Sequence, residues 1–272
     1  MTGLQQHYGP WALIAGASEG TGRAFAERLA AQGYKLILLA RREAPLAGLA
    51  TELSARYDTE CLWASVDLAD ADAADRIAAL CGDREVGLFI ANAGADPHGT
   101  HFLDSDIDNW MALVGRNVMT LMRLCHFLGR AMRARGGGII LVGSGACYGG
   151  APGLGVYAGS KAFDLCLGEA LWAELQPHGV DVLNLILGRT DTPELRRFLT
   201  SRGAALPPIW PCPMMLRGSG WSGCRMGRSI IGGWRMRSRA MRRNRLLLGV
   251  PASSRWRRPC ATFKAPTHER VA

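Results

Sequence analysis

The chain has 272 residues, 48% of them apolar, and a formal net charge of +9; this length suits a single α/β domain with a sizeable core. No run of about eighteen apolar residues is present, which argues against a membrane span, and the start Met1-Thr2-Gly3-Leu4 lacks the blocks of a secretory leader. The eight cysteines show neither C-x-x-C pairs nor clustering with histidine, so they read as reduced thiols of a cytoplasmic protein without a metal site.

Across positions 10–200, short apolar runs alternate with amphipathic stretches, the pattern of βαβ units around a parallel sheet. Strands are predicted at 11–15, 35–40, 60–66, 86–91, 138–143 and 180–187, each apolar enough to be covered on both faces. Helices are predicted at 20–32, 43–57, 71–80, 105–133 and 156–177. The Asp104-Ser105-Asp106 cluster offers a cap to the fourth helix, and Gly33 and Gly136 suit helix ends. Right-handed crossovers would give a doubly wound parallel sheet, a Rossmann fold, over residues 1–206.

The first strand runs directly into Gly16-Ala17-Ser18-Glu19-Gly20-Thr21-Gly22 and then an alanine-rich helix. Glycines at such a turn let backbone approach a pyrophosphate, and the helix N-terminus offers free N–H groups to it. Arg41 and Arg42 follow the second strand. An acid there would grip the ribose 2′-hydroxyl of NAD, whereas arginine suits a 2′-phosphate, so NADP(H) is favoured over NAD(H). Asp67 and Asn92-Ala93-Gly94 close the third and fourth strands. The carboxylate could accept a hydrogen bond from an adenine amino group, and the amide could brace the sheet while small residues leave room for a cofactor.

Downstream, Tyr157 and Lys161 stand in Val-Tyr-Ala-Gly-Ser-Lys-Ala, with Ser144 ending the preceding strand. Tyrosine ionises near pH 10 and needs help to act as an acid or base near neutrality. A lysine at i+4 lies on the same helical face, and its charge favours the tyrosinate. Ser144 could donate to a substrate carbonyl.

These stretches resemble the short-chain dehydrogenase/reductase family over roughly residues 9–200. The marks are the 16–22 turn, Asp67-Leu68, Asn92-Ala93-Gly94, Asn117 in Arg-Asn-Val, Ser144, Tyr157 with Lys161, and a 187–193 loop with Leu187 where the family has proline. Thr21 and Ala91 also depart from the usual residues, without removing a polar group the chemistry needs. The resemblance implies an NAD(P)-dependent dehydrogenase/reductase that interconverts a carbonyl and an alcohol. It implies a catalytic set of Asn117, Ser144, Tyr157 and Lys161: Tyr157 as acid/base, Lys161 tuning it, Ser144 polarising the carbonyl, Asn117 holding a relay water. The cofactor set it implies is Gly16, Ser18, Gly20, Gly22, Arg41, Asp67, Asn92, Gly94, Tyr157, Lys161, Gly188, Thr190 and Thr192. The implied partners are a small-molecule substrate and further copies of the chain, as a homodimer or homotetramer. Two rival readings are a catalytically impaired NAD(P)-binding remnant and a methyltransferase on a similar sheet, the latter with no use for Tyr157 and Lys161.

The alternation ends after Leu206. Fourteen of the 32 basic residues but one of the 23 acidic ones fall within 205–272, which leaves +13 there against −4 in 1–204. Half of the eight tryptophans lie there too, and only 246–250 resembles a strand. A nucleic-acid or membrane contact and a plain solvated tail are two readings of 207–272. The composition, basic and aromatic with almost no acids, fits better the product of an out-of-register reading frame, so no nucleic-acid or membrane partner is expected. Resequencing the 3′ region of the gene checks this: one inserted or lost base is expected, and an intact frame with the same tail in close relatives would refute it.

Overall fold

The computed structural model describes residues 3–188 and 190–203, with the backbone of 230–231 and 234–235. Six parallel strands stand in the order β3-β2-β1-β4-β5-β6: β1 (Trp11–Ala15), β2 (Lys35–Ala40), β3 (Cys61–Ser65), β4 (Val86–Ala91), β5 (Gly137–Ser144) and β6 (Val180–Leu187). All six lie within a residue or so of the sequence expectation. The chain walks outward from β1 to β3, then returns across β1 to place β4 on its other side. Strand order therefore reverses between β1 and β4, the place where open α/β sheets leave a crevice.

Both faces of the sheet are covered, which explains the unbroken apolar runs. Leu13, Ile37, Leu39, Phe89, Ile139 and Leu141 point to one side, under α4 (Ala73–Cys81), α6 (Thr120–Arg133) and the end of α7 (Gly155–Leu175). Ile14, Leu36, Leu38, Ile90 and Ile140 point to the other, under α2 (Gly20–Ala30) and α3 (Glu43–Tyr57). The alternation has the period of two that a strand imposes. A short helix before β1, α1 (Gly3–Tyr8), passes unmarked in the sequence; the Tyr8 hydroxyl anchors it by donating to Asp181 at 2.8 Å.

One helix over 105–133 was expected; the structure starts it at Ile107 and interrupts it with a π-helical turn. A 3-10 turn at Phe102–Asp104 comes first. Then α5 (Ile107–Val114) starts at Asp106, whose side chain accepts the Asp108 backbone N–H at 3.1 Å. A π-helical turn, Gly115–Met119, precedes α6. The extra residue in that turn rotates Asn117 inward, where it is 2% exposed, and such bulges recur at functional sites.

Beyond β6, α8 (Pro193–Ser201) was not anticipated, although Thr192-Pro193-Glu194 has the form of a helix start: the Thr192 hydroxyl accepts the Leu195 N–H at 3.2 Å with proline at the first position. The backbone of β7 (Ile230–Ile231) pairs parallel with β6 at Leu185 and Ile186, and β8 (Trp234–Arg235) pairs antiparallel with β7. Isoleucine is a strong strand former, so this pair can extend a sheet edge. The strand expected at 246–250, and the proposed origin of 207–272, lie outside the described residues.

Candidate active site

A cleft of about 620 Å³ opens at the carboxyl ends of β1, β2, β4, β5 and β6. Its floor is the β1–α2 turn. Gly22 packs against the strand end so closely that an added Cβ would lie 1.9 Å from the Gly16 carbonyl oxygen and 2.7 Å from Asn92 Nδ2. No side chain fits there. Asn92 in turn donates its amide to the Gly16 carbonyl at 2.9 Å, so the end of β4 braces the turn at the end of β1, as the sequence suggested.

Gly16, Ser18, Gly20, Arg41, Asn92, Gly94, Ser144, Tyr157, Lys161, Gly188, Thr190 and Thr192 all face this one cleft. Residues up to 176 positions apart in sequence, 16 to 192, converge there because every strand ends on the same side. Three other expected site residues do not line it. Gly22 supports the turn from behind. Asp67 accepts the Ala69 N–H at 3.0 Å and stands 3.5 Å from the Arg116 guanidinium, while its neighbours Val66 and Leu68 face the cleft. Asn117 is buried behind α7.

The two arginines after β2 are not equivalent. Arg42 pairs with Glu19 at 2.7 Å, whereas Arg41 has no ion-pair partner among the described residues and faces the cleft. Glu19 also accepts from Arg197 of α8, which ties that helix to the glycine-rich turn. Burial alone would raise the Glu19 carboxyl, but hydrogen bonds and charge from Arg197 and Arg42 outweigh it and hold the group below the usual range. Neither Glu19 nor Arg197 was singled out in the sequence. Both belong to long-range pairs that local pattern does not reveal.

On the opposite wall, the first turns of α7 carry Tyr157 and Lys161 into the cleft. Asn117 Nδ2 donates to Ser160 Oγ at 3.0 Å, and that hydroxyl donates to the Tyr157 carbonyl at 2.8 Å. The π-helical turn thereby grips the backbone of the tyrosine. The Lys161 ammonium donates to the Val142 carbonyl at 3.1 Å and to Asp164 at 2.9 Å. An added Cβ on Gly94 would come 2.8 Å from the Lys161 nitrogen and 3.3 Å from Asn117 Oδ1, so this glycine leaves the ammonium room at the cleft edge. Ser144 closes β5, its Oγ accepting the Ala146 N–H at 3.3 Å. Thr190 donates to the Gly188 carbonyl at 3.1 Å, and Thr192 caps α8. Arg189 lies outside the described residues.

A doubly wound sheet with a glycine-lined turn on one wall and a tyrosine–lysine pair on the other defines the class of dinucleotide-dependent oxidoreductases. The chain belongs to the short-chain dehydrogenase/reductase family, whose model, described as short chain dehydrogenase, matches residues 10–202. The chain is 33% identical over 193 residues to a 7beta-hydroxysteroid dehydrogenase of Mediterraneibacter gnavus, covering 71% of this chain and 73% of that protein. It is 34% identical over 180 residues to a very-long-chain 3-oxoacyl-CoA reductase of Podospora anserina, covering 64% of this chain and 53% of the relative. Among solved structures, that of a 7beta-hydroxysteroid dehydrogenase superposes with a TM-score of 0.77 at 28% identity, covering 89% of this chain and 94% of the other. A short-chain dehydrogenase from Sphingobium yanoikuyae in complex with NADPH gives 0.76 at 26% identity, covering 90% and 97%. The protein is thus an NAD(P)-dependent oxidoreductase of the carbonyl/alcohol kind. No helix among the described residues is long and apolar enough to cross a membrane.

Proposed function

We propose that the protein is an NADP(H)-dependent dehydrogenase/reductase that interconverts a ketone or aldehyde and its alcohol, with Tyr157 as the proton donor and acceptor. The convergence of Ser144, Tyr157 and Lys161 on the cleft that also holds the glycine-rich turn carries this reading. The donor set fits the cofactor. The Gly16–Gly20 turn and the start of α2 would hold the pyrophosphate, and Ser18 and Arg41 would bind a 2′-phosphate. Lys161 would bind the ribose, and Gly94, Gly188, Thr190 and Thr192 would flank the nicotinamide. Asp67, turned toward Arg116, would meet an adenine through the backbone around it.

When bound, the nicotinamide supplies or takes the hydride at the substrate carbon. Tyr157 Oη gives its proton to the carbonyl oxygen in reduction and takes it back in oxidation. Ser144 Oγ donates a hydrogen bond to that same oxygen and fixes its position. Lys161 keeps a positive charge beside the phenol, which favours release of the proton. Asn117 orders this wall through Ser160 and holds a water for proton exchange with solvent.

The relatives' names make bulky, apolar ketones the first substrates to test. Exposed Met111, Met119, Met122 and Phe127 on α5, the π-helical turn and α6 support self-association. The decisive experiment is Tyr157→Phe assayed with a ketone panel that includes oxosteroids and 3-oxoacyl thioesters. Turnover should fall by about 10²–10⁴-fold while NADPH still enhances its fluorescence on binding. Turnover equal to that of the parent would remove Tyr157 from this role, and a parent that binds NADPH yet reduces nothing would make the protein a cofactor-binding remnant.

A further inference from the structure

The ion pair behind Tyr157 is unlike the others in the molecule. Lys161 and Asp164 have side chains only 4% exposed each, whereas every other ion pair among the described residues has at least one partner more than 20% exposed. Tyr157, Lys161 and Asp164 stand at i, i+4 and i+7 on one face of α7. Lys161 faces the cleft; Asp164 does not, and sits behind it. One carboxylate oxygen takes the ammonium at 2.9 Å, and the other, Oδ1, is buried without a hydrogen-bond partner. A buried carboxylate left half-satisfied is costly, and packing alone gives no reason for one.

We propose that Asp164 is a positioning residue of the proton-transfer site: it clamps the Lys161 ammonium from behind and, by placing a negative charge there, sets the pH at which Tyr157 exchanges its proton. This rests on the role proposed for Tyr157. A positive charge near a phenol favours its ionised form, and a carboxylate beside that charge offsets part of the effect. It also helps the Val142 carbonyl fix the direction of a long, flexible side chain.

Other titratable groups face the pair from the elements packed on it. Cys125 of α6 is pushed up to about 12 by burial and by the charge of Asp164. Cys147, in the turn after β5, is raised chiefly by burial. Arg116, at the cleft wall, has Asp67 as its counter-ion. Asp164 itself is raised above the usual carboxylate range by burial, with Lys161 pulling the other way. The counter-charge behind Lys161 is therefore the group whose removal leaves the rest of this charge pattern in place.

The test compares the parent with Asp164→Asn, which keeps the shape and a hydrogen-bond acceptor for Lys161 but removes the charge. The ionisation of Tyr157 is read without cofactor, as the near-ultraviolet phenolate absorbance of each protein minus that of its Tyr157→Phe derivative. The midpoint should move to lower pH by about one unit in Asp164→Asn, because the remaining ammonium is no longer offset. Asp164→Glu should bring it back toward the parent. Asp164→Ser, neutral and smaller, should behave as Asn does and serves if the amide variant does not fold. A midpoint that stays put or moves up in the neutral variants overturns the inference, even where Tyr157→Phe is inactive. Should Tyr157→Phe turn over like the parent, the reading of Tyr157 falls first and the role of Asp164 with it.

Discussion

The two walls of the cleft solve their problems by different means. On the β1–α2 wall, shape does the work: Gly22 has no room for a Cβ, Asn92 pins the Gly16 carbonyl, and the charged residues Arg41, Arg42 and Glu19 stand at the rim in contact with solvent. On the α7 wall, charge does the work. Lys161, Asp164, Asn117 and Ser160 are all buried; Asn117 and Ser160 form a hydrogen-bonded chain that ends on the Tyr157 carbonyl, and Asp164 holds the Lys161 ammonium. A wall built from backbone tolerates no added atom and feels pH only through rim charges such as Glu19, whereas one built from buried charge accepts isosteric changes and responds to titration. Electrostatic effects are strong only where water is excluded, so the chemistry belongs on the second wall.

The largest expected effect is on the α7 wall: Tyr157→Phe should lower turnover by about 10²–10⁴-fold, the usual worth of a positioned acid, with NADPH affinity little changed. On the opposite wall Gly22→Ala should do the reverse. It should abolish the thermal stabilisation that NADPH confers, since the new methyl would collide with the Gly16 carbonyl. Gly48→Ala, in the exposed middle of α3 with nothing near its Cβ position, is the control; it should stabilise the protein by about 0.5–1 kcal/mol. If both alanines behaved alike in a melting experiment, the account of the turn would be wrong.

Next in size, Arg41→Ala should reduce the preference for NADPH over NADH by about tenfold in kcat/KM, from loss of a charge-assisted contact, and raised salt should shrink the difference. Equal losses with both cofactors would mean that Arg41 does not meet a 2′-phosphate.

The smallest effect concerns Glu19. Because its folded-state carboxyl is held below the ordinary 4.5, the stability it contributes is present above that value and fades as pH falls through the lowered one. Glu19→Gln should therefore melt slightly below the parent near neutrality, by no more than about 1 kcal/mol for such exposed pairs. The gap should close under acid conditions. A gap that persists there would show that Arg42 and Arg197 are not the cause.

The same contrast governs what the sequence revealed. The glycine-rich turn, the six strands and the Tyr157–Lys161 pair are local patterns, and they were read nearly to the residue. Asp164 shares the helical face of Tyr157 and Lys161, so its position was legible by counting; its burial was not, because that depends on α6 and β5 packing around it. Glu19 and Arg197 lie 178 positions apart, and only the fold brings them together. The break at 115–119 was missed because its buried residues keep helical spacing. The start of α8 did carry a signal, in Thr192 and Pro193, that alternation alone passes over.

The central claim is that the two walls serve one bound molecule. A crystal structure of the protein with NADPH tests it most directly. The pyrophosphate should lie over Gly16 and Gly20, with the nicotinamide end beside the Tyr157 hydroxyl and Ser144. A dinucleotide bound elsewhere, or a phenol turned away from its nicotinamide, would contradict the account.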